Sequence, residues 1–288
     1  MNYLCKKNEL GYYEAHPKPS PQDLQLHYSQ KYFQMSHGTY AKNYSPEEIK
    51  YRHNMARVAN ETADQINLNP SLLDLGCGEG FFTKSFHQFG WQVSCCDYSD
   101  FGIANQNKDM LPYFSAGDIY KILKEQTRQK KYGMINLQNV LEHVISPIDL
   151  LNSLKPLLQS ENSAIRIQVP NDFSNFQEAL KDHHYTTNTW FTPPEHLSYF
   201  NKEGLINILH HCGYKIHRLQ ADFPIEIFLS NQHSNYWKDR SLGKQAHASR
   251  LFCQNFLIES NIKDYIEYSE ASAKLGFGRE LIAYASPH

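Results

Sequence analysis

Residues 72–82 read LLDLGCGEGFF. An apolar run ends in Asp74, and Gly76, Gly78 and Gly80 follow at alternate positions ahead of Phe81 and Phe82. An apolar strand, a glycine-rich turn and the start of a helix, in that order, make a ligand-binding element of open α/β sheets. Two residues limit what this turn can hold. A dinucleotide turn of the form G-x-G-x-x-G uses its third glycine for close helix packing, and Phe81 occupies that place here. Glu79 would bring a carboxylate near two phosphate charges, which Coulomb repulsion disfavours. The dinucleotide reading is therefore set aside.

Working outward, the same alternation continues on both sides. Ser45-Pro46-Glu47-Glu48 opens a helix: serine caps, proline suits the first helical position, and Glu48 stands where it can bond back to the cap. Ile49, Met55, Ala59, Ala63 and Ile66 follow at helical spacing. Strands are expected at 71–75, 91–97, 113–116, 132–137 and 164–169, with helices at 81–89, 101–107, 139–144 and 148–158 between them. A helix at 202–212 and a strand at 214–219 resume the pattern after residues 171–200. That intervening stretch is polar, aromatic and irregular, and it reads as a binding loop. Residues 223–275 read as mostly helical, and 279–285 as a last strand. Residues 1–44 show no clean period. The alternation implies a parallel sheet with helices on both faces.

Composition narrows the classes of function. The chain has 288 residues, 41% of them hydrophobic, enough for one large α/β domain with a sizeable core. A formal net charge of −2 provides no whole-molecule field for nucleic acid or an anionic membrane. No nucleic-acid partner and no membrane span are expected. The N-terminus has no long apolar stretch, so no cleaved signal is expected, and a cytoplasmic location follows. The six cysteines include no CxxC pair and read as reduced thiols. With 19 Tyr, 16 Phe and 15 His, much of the aromatic surface falls in loops, where it can line a pocket or enlarge the core.

The motif D-L-G-C-G-E-G at 74–80 resembles the first motif of the class I S-adenosylmethionine-dependent methyltransferases. Four further landmarks carry the resemblance: Asp97 at the end of the second strand, Gly117-Asp118-Ile119 after the third, NVLEHV at 139–144 after the fourth, and VPND at 169–172 with HLSYFNKEGL at 196–205. The nearest branch by motif holds the ubiquinone-type O-methyltransferases and many sugar and small-molecule enzymes. The resemblance implies a Rossmann-like, doubly wound, mostly parallel α/β sheet with a reversed final strand and helical and loop insertions. It implies an N-terminal lid segment over 1–44, a cofactor-binding core over 45–222, and a helical insertion with the final strand over 223–288.

Carried over residue by residue, Asp74, Gly76, Cys77 and Gly78 would hold the methionine end of S-adenosylmethionine, a phosphate-free cofactor that tolerates an acid in the turn. Asp97 would bind the ribose with Tyr98 beside the adenine. Asp118 and Ile119 would meet the adenine, and Gln138 would face the amino-acid end through its backbone. The plain structural alternative for Asp97 and Asp118 is a strand-end cap or turn residue. Two departures from relatives concern metals. Residues 5–20 resemble half of a zinc module, but Asn8 stands where the partner of Cys5 would be, and a structural zinc needs four ligands. Around LEH, Glu142 and His143 match a metal-linked segment of the ubiquinone-type enzymes, but Asn139 replaces the first acid. No metal is expected.

Methyl transfer to oxygen needs the acceptor held in line and its proton removed, and a histidine near neutral pKa can take that proton. His196 and His143 are the candidates, with a capping or loop-orienting role as the alternative for each. Glu142, His184, Tyr185 and Tyr199 are candidates for lining the acceptor pocket. The expected function is methylation of a small-molecule acceptor, at oxygen. The alternatives are a sugar C- or N-methyltransferase and a cofactor-binding regulatory module without turnover. The residues name neither the acceptor nor an oligomeric state.

Overall fold

A computed structural model describes residues 3–20, 22–24, 43–126, 130–159 and 161–288. Its centre is a seven-stranded sheet in the order β5-β4-β3-β6-β7-β10-β9. The strands are β3 (Ser71–Leu75), β4 (Gln92–Asp97), β5 (Phe114–Ala116), β6 (Met134–Gln138), β7 (Ala164–Pro170), β9 (Tyr214–Ala221) and β10 (Glu280–Pro287). β5, β4, β3, β6 and β7 run parallel, while β10 is antiparallel to both neighbours. The expected reversed final strand is thus β10. Strand order reverses between β3 and β6, and in an open sheet the crevice at the carboxyl ends of two such strands receives the ligand.

Helices cover both faces because the central strands place apolar side chains on both sides of the sheet. β7 is buried at every position, as a strand covered on both sides must be. On one face α1 (Pro46–Gln65) and α2 (Phe81–Gln88) pack Ala56, Ala59, Ala63 and Phe86 against Leu72, Met134 and Ile282. On the other face α5 (Pro147–Leu154) and α7 (Lys202–His211) pack Leu150, Leu154, Leu205 and Ile208 against Leu73, Ile135 and Ile165. The α1 start follows the sequence signal, for Ser45 and Glu48 form a reciprocal capping box. α3 (Phe101–Gln106) and α4 (Ile119–Gln126) flank β5; α4 was missed between the glycine at 117 and the basic pair at 130–131.

Three expectations need correction. Residues 139–144 form a turn, not a helix. Asn139 has a φ of 54°, a left-handed conformation that prevents a helix from starting there. The helix expected to reach residue 158 stops at Leu154 and continues as a 3-10 turn, Lys155–Leu157, because Pro156 has no N–H to give the ladder. Residues 171–200 contain α6 (Asn175–Asp182), capped by Ser174, and β8 (Ser198–Tyr199).

The N-terminal segment is also more ordered than its sequence implies. β1 (Leu4–Lys7) and β2 (Tyr13–His16) form a hairpin, and β2 pairs with β8. Asn8 lies in the hairpin turn, where its side chain accepts from the Leu10 N–H. Residues 25–42 of the expected lid lie outside the described residues. In the C-terminal part, α8 (Gly243–Ser260) and α9 (Ile262–Leu275) pack Ile258, Tyr265 and Ile266 on Val58 of α1. All six cysteines are free thiols. Among the described residues, no helix is long and apolar enough to cross a membrane.

Candidate active site

The turn after β3 is built from glycine conformations. Gly76, Gly78 and Gly80 have φ of 72°, 54° and 76°, a region that costs any other L-residue about 1–2 kcal/mol. The N–H groups of Gly76 and Cys77 donate to the Cys96 carbonyl, which ties the turn to the end of β4. Gly80 caps α2, and a Cβ there would stand 2.8 Å from Ile103. The turn is therefore a narrow backbone cradle.

Asp74 supports the cradle from beneath. It is buried, accepts from Thr83 and from Asn136 at 2.7 Å each, and so acts through the turn it positions. Burial raises its carboxyl above the usual range, with Thr83 and Asn136 opposing. Asp97 accepts from the N–H of Gly78 at 2.9 Å and of Tyr98 at 2.7 Å. Its carboxyl thus holds the turn closed while standing at the strand end where a ribose would be met. Asp118 is exposed and accepts from the N–H groups of Tyr120 and Lys121, which makes it the cap of α4. Ile119 packs partly on the core, and Tyr98 is 43% exposed beside Asp97.

Glu79 turns out to face inward to a clasp. It is 6% exposed, accepts from the Tyr44 hydroxyl at 2.6 Å and lies 3.6 Å from the Arg52 guanidinium. Arg52 also lies over the rings of Tyr44 and Phe81. Phe81, in the position a dinucleotide turn keeps for glycine, is thus part of the packing between α1 and α2.

Gln138 ends β6, and the turn that follows sits on the glycine cradle. A Cβ on Gly76 would come within 2.5 Å of Val140, so the two loops touch across the β3–β6 crevice. Two residues further on, the Glu142 carbonyl accepts from the N–H groups of Leu197 and Ser198. This docks the loop 192–198 on the post-β6 turn and brings His143 and His196 together, with ring centroids 4.7 Å apart. His143 Nδ1 lies 2.6 Å from the Glu195 carbonyl. A carbonyl only accepts, so Nδ1 carries the proton and Nε2 is the accepting nitrogen. Glu142 is 1% exposed, its Oε1 is 3.8 Å from His143 Nε2, and burial raises its carboxyl well above the usual range. One donor atom from each of Glu142, His143 and His196 lies within 4.8 Å of the others, which adds His196 to the two residues that the sequence had linked with a metal.

The remaining pocket candidates divide. Tyr199 is fully buried; its hydroxyl accepts from Thr192 N–H and donates to the His196 carbonyl, so it fixes the loop and does not face a pocket. His184 is exposed with a φ of 59°, and Tyr185 lies under Lys238. The structure does not join either to the histidine pair.

Beyond β6, the rim carries further acids, only one of which lies in a motif. Asp172 follows β7, Glu280 begins β10, and Asp222 follows β9. Arg279 bridges Asp172 at 2.8 Å and Glu226 at 3.6 Å. The Glu280 N–H donates to Asp222 at 2.7 Å, and the Glu280 carboxylate accepts from Gln168 and from Asn139. Burial, then the Glu280 charge, raises Asp222 well above the usual range. Only VPND pointed to Asp172; nothing local marks Glu280 or Asp222, which meet through β-pairing alone. A cleft of about 390 Å³ near Lys155, His217 and Ser286 opens at the opposite edge of the sheet, away from all these groups.

Comparisons with known proteins agree with this fold. Residues 48–219, more than half of the chain, match the model of a methyltransferase domain. No curated protein matches the chain. Among solved structures, an S-adenosylmethionine-dependent methyltransferase from Archaeoglobus fulgidus aligns with TM-score 0.51 and 17% identity, over 91% of this chain and 98% of that one. The plantazolicin methyltransferase BpumL, solved with a substrate analogue and S-adenosylhomocysteine, aligns with TM-score 0.52 and 17% identity, over 94% of this chain and 91% of that one. At such identities the likeness is one of fold. Together with the matched domain model, the glycine cradle at the switch point means that this chain belongs to the methyltransferase domain family.

Proposed function

We propose that this methyltransferase uses S-adenosylmethionine to methylate a small-molecule acceptor at oxygen. The turn fits the cofactor: three left-handed glycines hold it as a narrow backbone cradle at the carboxyl end of β3, the edge where an open sheet receives its ligand. S-adenosylmethionine supplies an electrophilic methyl group on a sulphonium sulphur. Gly76, Cys77 and Gly78 would hold its methionine end, with Gln138 alongside; Asp97 would take the ribose, and Tyr98, Asp118 and Ile119 the adenine. Residues 1–44, 171–200 and part of 223–275 would roof the acceptor, with 45–222 as the cofactor-binding core.

The observation that carries the oxygen assignment is the contact between His143 Nδ1 and the Glu195 carbonyl. With Nδ1 held by the Glu195 carbonyl, Nε2 can accept a hydroxyl proton as the oxygen attacks. His196, packed edge-on to that ring, is the second base candidate and orients the first. The closeness of Glu142, His143 and His196 favours a second reading, in which the three hold a divalent cation that activates the hydroxyl. The metal-free proton transfer needs no ligand beyond the residues described and is preferred.

Calorimetry with S-adenosylmethionine and NAD tests the cofactor assignment. Binding of the methyl donor alone is expected, and NAD binding without any response to the methyl donor would refute it. Elemental analysis of tag-free protein, expected to find no stoichiometric metal, separates the two readings of the histidine pair.

A further inference from the structure

We propose that the acceptor carries a protonated amine, held by the acids at the β7–β10–β9 end of the rim. The inference rests on the small-molecule reading above and gives that acceptor a chemical class.

Four carboxyl groups converge here from three strand ends and one loop: Asp172, Glu280, Asp222 and Glu226. Asp172 and Glu226 share Arg279. Asp222 and Glu280 form no ion pair among the described residues. Asp222 is 1% exposed, yet its Oδ2 has no hydrogen-bond partner among the described residues, and the same holds for Oδ2 of the equally buried Asp172. Buried carboxylate oxygens are rarely left without a donor, because each unmet acceptor carries its full desolvation cost. Arg250 lies near Asp222 and Glu280 and opposes part of their charge, without a contact short enough to pair.

The position suits an acceptor. The β3–β5 end of the rim is the cofactor cradle, and the histidine pair stands at the crevice between the two ends. Asn139, at the base of the loop that carries His143, donates to Glu280. The acids are therefore held in register with the base. A molecule that presents a hydroxyl to the histidines would extend its other end over Glu280 and Asp222.

The chemistry selects among ligands. Burial favours the protonated form of Asp222, which leaves Asp172, Glu226 and Glu280 against two guanidinium groups, so an anionic acceptor would be repelled. A neutral polyol could donate to the open oxygens but would leave the excess charge unmatched. A protonated amine provides N–H donors and a positive charge together. A cation beside Asp222 would also favour its ionised form, against the burial that now disfavours it.

The test uses tritium-methyl-labelled S-adenosylmethionine and a metabolite extract split at neutral pH into fractions retained and not retained by a cation exchanger. Label is expected to enter a compound of the retained fraction. Label confined to the unretained fraction would overturn the amine assignment while leaving the methyltransferase reading intact. No label in any fraction, with cofactor binding intact by calorimetry, would refute the small-molecule reading and the amine with it. With the retained fraction titrated as acceptor, Asp222→Asn keeps the shape and the bond from Glu280 N–H. It should raise the apparent KM about 30-fold or more, with kcat and cofactor affinity little changed. An unchanged KM in a variant that melts and binds cofactor normally would remove Asp222 from recognition.

Discussion

The two ends of the rim are made of different material. At the β3–β5 end, the proposed cofactor surface is backbone: three left-handed glycines within one short turn, tied to β4 by the N–H groups of Gly76 and Cys77. At the β7–β10–β9 end it is side chain: carboxyl and guanidinium groups drawn from residues 172 to 280. A backbone cradle recognises shape and suits a cofactor common to many reactions. A wall of charged side chains can be changed one residue at a time, which suits the partner that distinguishes one enzyme from another.

A hydrogen-bonded chain runs between the two ends beneath the surface. Asp74 accepts from Asn136, Asn136 accepts from Arg166, Arg166 donates to Gln168, and Gln168 donates to Glu280. β-Register lines up Asp74, Asn136, Arg166 and Tyr284 across four neighbouring strands. Arg166 is 2% exposed, and its charge is met by Asn136, Gln168, the Tyr284 hydroxyl and the face of Phe82. The ends are thus chemically distinct but share one rigid polar layer.

Substitutions can separate the ends. His143→Ala, at the crevice between them, should lower turnover by about 10²–10⁴-fold while cofactor affinity barely changes. Near-normal turnover would take His143 out of the mechanism and move the base to His196. Arg166→Met cuts the shared layer and leaves buried acceptors unmet, so it should cost about 3 kcal/mol in denaturant unfolding. A small loss there would mean that the two ends are held independently.

Gly76→Ala acts on the cofactor end alone. Left-handed strain of about 1–2 kcal/mol, added to a contact of 2.5 Å with Val140, should weaken S-adenosylmethionine binding by about tenfold to a hundredfold. Calorimetry on the folded variant measures this, and unchanged affinity would show that the cradle does not hold the cofactor.

The smallest effect concerns pH and the acid end. Asp222 faces Glu280, Glu226, Arg250, Tyr51 and Tyr265, and its folded pKa is raised by burial and by Glu280. The folded chain therefore holds a proton that the unfolded chain releases near pH 4. Stability from this group is present below that value and is lost as pH rises through the raised folded pKa. The ligand-free melting temperature should fall as pH rises above about 4, and Asp222→Asn should flatten the slope.

What the sequence by itself determined is whatever rests on neighbouring residues. The turn at 74–80 was legible because its strand, glycines and helix are consecutive, and the α1 start because Ser45 and Glu48 cap each other locally. The strand and helix order was legible from short apolar periods. Phe81 spoke against a dinucleotide, and Glu79 proved to be clasped through one oxygen by Tyr44 and Arg52. Only the tertiary structure decided the rest. Asn139 broke an expected helix by adopting a left-handed conformation that its sequence context does not demand. His143 and His196 lie 53 positions apart and meet because the Glu142 carbonyl binds the loop at Leu197 and Ser198. Glu280 and Asp222 meet because β10 returns antiparallel between β7 and β9. Local signals report backbone preference within a few residues, whereas a site made of side chains depends on pairing register across strands, which only the folded sheet supplies.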